Sequence, residues 1–396
     1  MRALPAVGVS RKGEERLRSG HLWVFGDDLR DIPLELPPGS WVRVLSRAGD
    51  FLGTGTLNLA SRIALRIVSR GEARPGKAFL LDRLEAAWER RAEAGLAGEN
   101  ALRLVFSEGD FLPGLVVDRY GSAICIQVLT AGMESIRDEI VESIAERFPC
   151  RLVYERSEGG GRKREGLAES RGVLRGGGEP VEEVELDGLR FRVDMETGPK
   201  TGFFIDQRDN RRIVRSFSRG KRVLDGFCST GAFGLYALSG GAEGVLAIDS
   251  SGPAVAAARE NAARNGFASR WEGKPADLFA ELRELSASGR RFDLVVLDPP
   301  SFAKSREGRE GAMRGYRDIN RLGLSVLAPG GIIATSSCTQ LVDMAKWREA
   351  LKAAAADARV DLQQLAAGGQ PPDHPVLLGV PETEYLKFAV YRKRSL

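Results

Sequence analysis

Histidine is nearly absent: His21 and His374 are the only two in 396 residues. Cysteine is sparse as well, with Cys125, Cys150, Cys228 and Cys338 far apart and never in CxxC spacing. These shortages exclude the usual zinc sites, which draw several His or Cys ligands from short spacings. They also exclude a disulfide framework, so the chain reads as a reduced, cytoplasmic protein without a structural metal. Long apolar runs are missing. No stretch approaches the ~20 apolar residues of a membrane span, and no apolar signal segment opens the N-terminus.

What is present is a globular composition, 43% hydrophobic and 28% charged, at a length that implies two or three domains. Net charge is only +4, but its distribution is uneven. Arg211, Arg212, Arg215, Arg219 and Lys221 lie between Arg208 and Arg222 against a single acid, Asp209. A second basic cluster, Arg162-Lys163-Arg164, follows three glycines. Each run alone fits a solvated helix face; together they fit a polyanionic partner.

Residues 1–72 alternate short apolar runs with glycine turns, as in Trp41-Val42-Arg43-Val44-Leu45 and Phe51-Leu52-Gly53-Thr54-Gly55. That is the pattern of a small β-rich domain. Residues 73–190 read as an α+β domain. It has a helix from Phe79 to about Leu96, strands at 103–107, 115–118, 123–129 and 152–156, and a helix over 134–148. The polar, glycine-rich stretch 157–178 reads as a mobile loop, and Asp187-Gly188 marks the turn of a hairpin over 181–195. From Arg222 strand and helix alternate, which predicts an α/β fold with a Rossmann-like, doubly wound parallel sheet in residues 191–396. Ligands of such sheets sit at the carboxyl ends of the strands.

Three acids fall at successive strand ends. Asp225 opens the turn Asp225-Gly226-Phe227-Cys228-Ser229-Thr230-Gly231, which has neither a dinucleotide GxGxxG nor the Gly-Lys-Ser/Thr of a phosphate loop. A carboxylate there suits an ammonium-bearing ligand. Asp249 ends the next strand, where an acid bonds ribose hydroxyls, and Asp277 follows the third turn, facing an adenine amino group. An adenosyl ligand with an amino-acid tail, S-adenosylmethionine, satisfies all three. Taken singly, each acid also fits a turn or helix cap.

Asp298-Pro299-Pro300-Ser301-Phe302 ends a further strand, and the following strand delivers Cys338 in Thr335-Ser336-Ser337-Cys338-Thr339. An aromatic directly after Asp-Pro-Pro would stack on a base for amino-nitrogen methylation, but Ser301 stands there and Phe302 comes one step late. A thiol next to this turn suits attack on carbon 6 of a pyrimidine, which makes carbon 5 nucleophilic enough to take a methyl group. Asp298 then holds the N3 edge of the base, and the thiol needs a positive neighbour to ionise. Cys228, inside the cofactor turn, reads as a packing residue.

Several stretches carry a resemblance. They are Gly20-His21-Leu22-Trp23-Val24-Phe25, Gly109-Asp110-Phe111-Leu112-Pro113-Gly114-Leu115, Lys200-Thr201-Gly202-Phe203-Phe204-Ile205-Asp206-Gln207-Arg208, Gly315-Tyr316-Arg317-Asp318-Ile319-Asn320, Asp373-His374-Pro375 and Glu384-Tyr385-Leu386-Lys387. Over its whole length the chain resembles bacterial 23S ribosomal RNA cytosine-C5 methyltransferases built from a PUA domain, a central domain and a class I methyltransferase domain. The resemblance implies Cys338 as nucleophile, an RNA-binding PUA module in the N-terminal domain, and 23S ribosomal RNA as partner, either naked or in an assembling subunit. It places Phe204, Gln207 and Arg208 in the cofactor wall; from the strand-end turns themselves, the residues expected to hold the cofactor are Asp225, Phe227, Ser229, Thr230, Gly231, Asp249, Asp277, Asp298 and Pro299. Residues expected to contact RNA are Arg211, Arg212, Arg215, Lys304 and Tyr316. The base that removes the carbon-5 proton is sought among Glu382, Glu384 and His374. Two-cysteine RNA cytosine methyltransferases carry a second cysteine after the Asp-Pro-Pro-like turn; Ser301 and Phe302 here favour a one-cysteine route. Other targets (uracil C5, guanine N2), a non-catalytic RNA-binding assembly factor and a homodimer stand as alternatives or additions.

Overall fold

A computed structural model of the protein describes residues 3–33, 36–303 and 308–395. The chain forms two compact units. The first holds the residues up to Val184 together with Val193–Ile205 and Pro372–Thr383; the second holds Glu185–Arg192, Asp206–Pro371 and the residues from Glu384 onward. The boundary anticipated at 190/191 is therefore not a single cut: the chain returns to the first unit twice.

Two sheets build the first unit. The six-stranded sheet runs, in spatial order, Trp23–Val24, Leu65–Ser69, Phe51–Leu57, Ser40–Leu45, Ala6–Val9 and Leu29–Arg30. Gly53 and Gly55 are required in it, because a Cβ at either position would lie 2.6–2.7 Å from the carbonyl oxygens of Ser69 and Arg66. The five-stranded sheet runs Ser170–Gly176, Leu152–Ser157, Ala123–Val128, Leu115–Tyr120 and Ala101–Phe106. Helices Lys77–Glu93 and Arg137–Arg147 cover one face through Leu80, Leu84, Ile140 and Ile144.

The stretch read as a mobile loop is ordered: a turn of helix at Gly160–Arg164 leads into the edge strand Ser170–Gly176. Its polar composition hides a buried polar core. Arg162 is buried and donates to the Val128 carbonyl and to Glu134 at 2.6–2.7 Å. Glu165 pairs with Arg66 at 2.9 Å and its backbone carbonyl accepts from Asn58. Arg162 is thus a structural residue and not a polyanion contact. The hairpin Val181–Leu186/Leu189–Asp194 forms as expected, with Asp187 and Gly188 both at positive φ (53° and 80°), the conformation a two-residue hairpin turn demands.

The second unit is a seven-stranded sheet. Its strands are β1 (Arg222–Gly226), β2 (Gly244–Asp249), β3 (Trp271–Pro275), β4 (Phe292–Leu297), β5 (Leu327–Ser337), β6 (Val360–Gly369) and β7 (Lys387–Ser395). Their spatial order is β3-β2-β1-β4-β5-β7-β6. The first five strands are parallel, and β7 runs antiparallel between β5 and β6. The helices are α1 (Arg208–Ser216), α2 (Ala232–Ser239), α3 (Gly252–Arg264), α4 (Leu278–Ala287), α5 (Arg309–Val326) and α6 (Met344–Asp357). The order reverses at β1/β4, and that switch point is where ligands of open α/β sheets bind. No helix among the described residues is long and apolar enough to cross a membrane.

The first unit also contains a buried ionic network. Arg103 grips Asp118 with two bonds of 2.7 Å, and Asp118 accepts a further bond from Thr201. Removing one partner leaves the other charge buried and unpaired, which is costly. Asp118→Ala is expected to cost the first unit about 3–5 kcal/mol in its urea-unfolding transition; a loss below about 1 kcal/mol would show that water or a rearranged acid replaces the carboxylate.

Candidate functional site

The strand ends of the second unit line up in register. Gly226 stands beside Ile248 on β2 and Leu297 on β4, and Leu297 beside Thr335 on β5. The residues that follow (Phe227, Asp249, Asp298 and Ser336) therefore emerge together at one rim. Parallel pairing alone achieves this convergence of residues far apart in sequence.

The turn after β1 is tightly wound. Phe227, Ser229 and Gly231 all have positive φ, at 61°, 48° and 81°, and two of them are non-glycine residues held in a sparsely populated conformation. At Gly231 a Cβ would come within 2.8 Å of the Ala258 methyl, and at Gly226 within 2.6 Å of Leu278. The turn is fastened by Asn261, which donates to the Thr230 carbonyl at 3.2 Å. Asp225 is fully buried and accepts from the Gly234 backbone at 2.8 Å through Oδ2, while Oδ1 has no donor among the described residues. Burial pushes its carboxyl up to about 7 against the opposing Gly234 bond. Asp249 receives the backbone N–H groups of Ser229 and Ser251, each at 2.9 Å, one per oxygen. Each oxygen keeps capacity for another donor. Asp277 is the N-cap of α4, accepting from Ala280 at 2.9 Å. Cys228 is buried, and desolvation drives its thiol far up, as befits a packing residue.

Asp298 is oriented from two sides. Gln207 donates to its Oδ1 at 2.7 Å, the Ser336 hydroxyl donates to the same oxygen, and Gln207 is itself held by Asn210 at 2.6 Å. Cys338 lies half-buried just past β5, its Sγ 3.9 Å from the Pro299 carbonyl. Next to it, the buried Thr339 hydroxyl meets the hydroxyls of Ser301 (3.1 Å) and Tyr316 (2.7 Å). Phe302 packs on Tyr316 at 4.9 Å between ring centres and leans toward Phe279. It belongs to the wall.

Two of the residues expected to contact RNA are buried. Tyr316 is fully buried, its hydroxyl pushed up to about 12, and supports the Cys338 loop from behind. Arg211 is buried beneath Phe233, where desolvation lowers it. Arg212 and Arg215 do reach the surface, with Arg212 paired to Asp187 at 2.9 Å and to Asp209 at 3.1 Å. They line a cleft of about 540 Å3 with Arg219, Ser239 and Gly240. Lys304 lies outside the described residues. Gln207 and Arg208 open α1, both buried. Phe204 belongs to the first unit, its ring under the Lys200 ammonium at 4.7 Å.

The candidate bases separate. Glu382 belongs to the first unit and pairs with His21 at 3.2 Å, which holds its carboxyl low. His374, buried in that same unit, is engaged by Asp373 at 2.9 Å and by the Phe106 ring. Glu384 belongs to the second unit and is exposed. Sequence reasoning did not single out Lys387, whose Nζ donates to the Thr339 carbonyl at 2.9 Å and the Tyr385 carbonyl at 2.8 Å. The available signal was a lone lysine in the apolar run Leu386-Lys387-Phe388-Ala389-Val390. Among the described residues no group of three or more His, Cys, Asp or Glu is placed to hold a metal ion.

Residues 171–377 match the S-adenosylmethionine-dependent methyltransferase family, and residues 7–70 match a PUA-like domain. The chain belongs to this methyltransferase family. It is 41% identical over 392 residues to the ribosomal RNA large subunit methyltransferase I of Photobacterium profundum, covering 96% of this chain and 98% of that one. Its counterpart of the same name in Aeromonas hydrophila is 40% identical, covering 97% and 98%. The solved SMU.776 chain, in complex with SAH, superposes with a TM-score of 0.86 at 22% identity over 98% of this chain and all of that one. A structure from Streptococcus mutans gives 0.84, also at 22% identity and over 98% and 100% of the two chains.

The methyltransferase's cofactor, S-adenosylmethionine, fits the residues present. A buried carboxyl oxygen of Asp225 without a donor suits the ligand's ammonium, Asp249 suits ribose hydroxyls, and the glycine turn lets backbone approach the ligand. Ionised Asp225 is an unpaired buried charge in the free protein. Its folded value lies above the ordinary 3.8, so this group removes stability as pH rises from about 4 to 7. The cofactor's ammonium needs the ionised form. Affinity for S-adenosylmethionine, measured by calorimetry, is expected to fall as pH drops from 7 to 5, by up to about tenfold per unit. Asp225→Asn should bind weakly with a flat profile; a flat wild-type profile would place the ammonium elsewhere. Asp249→Ala should weaken the cofactor by about 1–3 kcal/mol, and an unchanged Kd would move the ribose site.

Proposed function

We propose that this methyltransferase transfers a methyl group to carbon 5 of a cytosine in large-subunit (23S) ribosomal RNA through a covalent adduct of Cys338 with carbon 6. The observation that carries the reading is the pairing of a half-buried thiol on the end of β5 with an oriented carboxyl, Asp298, on the end of β4. The relatives' names supply the ribosomal RNA; the atom follows from the chemistry of the side chains.

S-adenosylmethionine supplies an electrophilic methyl group. Cytosine carbon 5 is too weak a nucleophile to take it unaided. A thiolate at Cys338 forms a bond to carbon 6, the C5–C6 double-bond electrons move into the ring, and charge develops toward N3. The Asp298 carboxyl, held by Gln207 and Ser336, acts in its protonated form: it donates its proton to N3 as that charge forms and takes it back when the double bond is restored. Carbon 5 then takes the methyl group and carries both it and a proton. Removal of that proton restores the double bond and expels the Cys338 thiolate, so one hard step becomes two easier ones. Of the three candidate bases, Glu384 alone shares a unit with Cys338, and we assign it this role. The packing of Phe302 against Tyr316 leaves no aromatic directly after Asp298-Pro299-Pro300 to stack on a base, which disfavours an exocyclic nitrogen target. The PUA-like domain and the cleft of Arg212, Arg215 and Arg219 are the surfaces we assign to RNA, as backbone-phosphate contacts.

Cys338→Ala is expected to abolish methyl transfer to ribosomal RNA while cofactor affinity stays within about twofold. Full activity in that variant would sink the covalent route. Glu384→Gln should stall after methylation and accumulate RNA covalently held at Cys338, visible as a slow band on a denaturing gel. Normal turnover without such a band would return the base to an unidentified group.

A further inference from the structure

Lys387 raises a physical problem that the fold does not solve. Its residue is only 6% exposed, and among the described residues no carboxylate forms an ion pair with its ammonium. Its bonded partners are two backbone carbonyls, of Thr339 and Tyr385. Burying a cation without an opposite charge is costly, so the side chain needs a reason to be there. A purely structural reading has a comparator on the same strand. Lys393 also donates to two carbonyls, of Leu324 and Leu327, at 2.9 and 3.0 Å. Those close the C-terminal end of α5, where partial negative charge accounts for a lysine. The carbonyls that hold Lys387 belong to no α-helix.

The surroundings narrow the search for its counter-charge. Three acidic groups act on Lys387: Cys338, Glu384 and Asp343. Asp343 caps α6 and is already neutralised by Lys346 at 2.8 Å. Glu384 is exposed to water, which screens it. Tyr316, behind the same loop, stays protonated at neutral pH. The remaining group is the thiol of Cys338, and the register puts Lys387 opposite Ser337, one residue before it. Through Thr339 the lysine also pins the peptide that follows the cysteine.

We propose that Lys387 is the positioning residue that keeps Cys338 as a thiolate, its ammonium supplying the counter-charge while its bonds fix the 337–339 backbone. The inference rests on Cys338 being the nucleophile. It goes further by naming what activates that nucleophile. The balance is kept: the Sγ proton passes to solvent water, and the ammonium already on Nζ pairs with the thiolate that remains. The two titrations are therefore coupled, each ionised form favouring the other. Desolvation brings Lys387 down to about 8, so the ammonium is retained at neutral pH and lost above that range.

The test reads the thiol without RNA. The full-length protein is alkylated with iodoacetamide across pH 5–10, and the rate at Cys338 is read by peptide mass spectrometry. Wild-type Cys338 is expected to show a midpoint below the ordinary thiol value of about 8.5. Lys387→Met should move it up by at least about one unit, or roughly tenfold less thiolate at neutral pH, and Lys387→Arg should keep it low. An unshifted midpoint in a folded Lys387→Met protein, checked by circular dichroism and cofactor affinity, overturns the proposal. Should that variant not fold, a wild-type midpoint at or above about 8.5 overturns it equally. The covalent reading is scored separately: a shifted alkylation profile alongside full methyl transfer by Cys338→Ala would remove that reading and leave the thiolate pair standing.

Discussion

The register of four parallel strands carries the site. Ile248, Gly226, Leu297 and Thr335 stand side by side, and the residues after them converge on one rim. Side chains alternate along a strand, so a slip of one position would turn each to the other face of the sheet. Asp249, Asp298 and Ser336 would then no longer meet. The register is fixed by buried apolar residues, among them the laterally paired row Leu246, Leu224, Val295 and Ile333 on one face. The hydrophobic core thus sets the position of the polar groups at the rim.

Electrostatics at this rim work by withholding compensation. Among the described residues, Asp225 keeps one oxygen without a donor and Lys387 an ammonium without a paired carboxylate. The first is costly in the free protein and suits a cofactor ammonium; the second is offset by the thiolate we propose at Cys338. Asp298 is treated differently. Gln207, Asn210 and Ser336 hold it in one orientation, which suits a group that must meet a flat base edge without reorganising.

The strand-end acids and Cys338 were legible in the sequence, because alternating strand and helix implies a parallel sheet and such sheets place function at their carboxyl ends. Burial was not legible. Arg211 sits in a basic run that looks like a solvated face, yet it lies under Phe233, with Asp298, from a distant strand end, acting on it. Tyr316 reads as a surface aromatic until Thr339, on another strand's end, receives its hydroxyl. Glu382 and Glu384 are two residues apart, but the chain passes from one unit to the other between Thr383 and Glu384. The strands Val360–Gly369 and Lys387–Ser395 escaped notice because the first alternates weakly, with its polar side at the sheet edge. In each case the deciding partner is distant in sequence.

The most direct measurement uses large-subunit ribosomal RNA transcribed with 5-fluorocytidine, incubated with the protein and S-adenosylmethionine. Fluorine at carbon 5 leaves no proton to remove, so a thiol that has attacked carbon 6 cannot depart. The account predicts a denaturation-stable protein–RNA complex whose cross-linked nucleotide maps to the peptide containing Cys338. Efficient methylation of the same RNA with no covalent complex, or a complex at another residue, would contradict it.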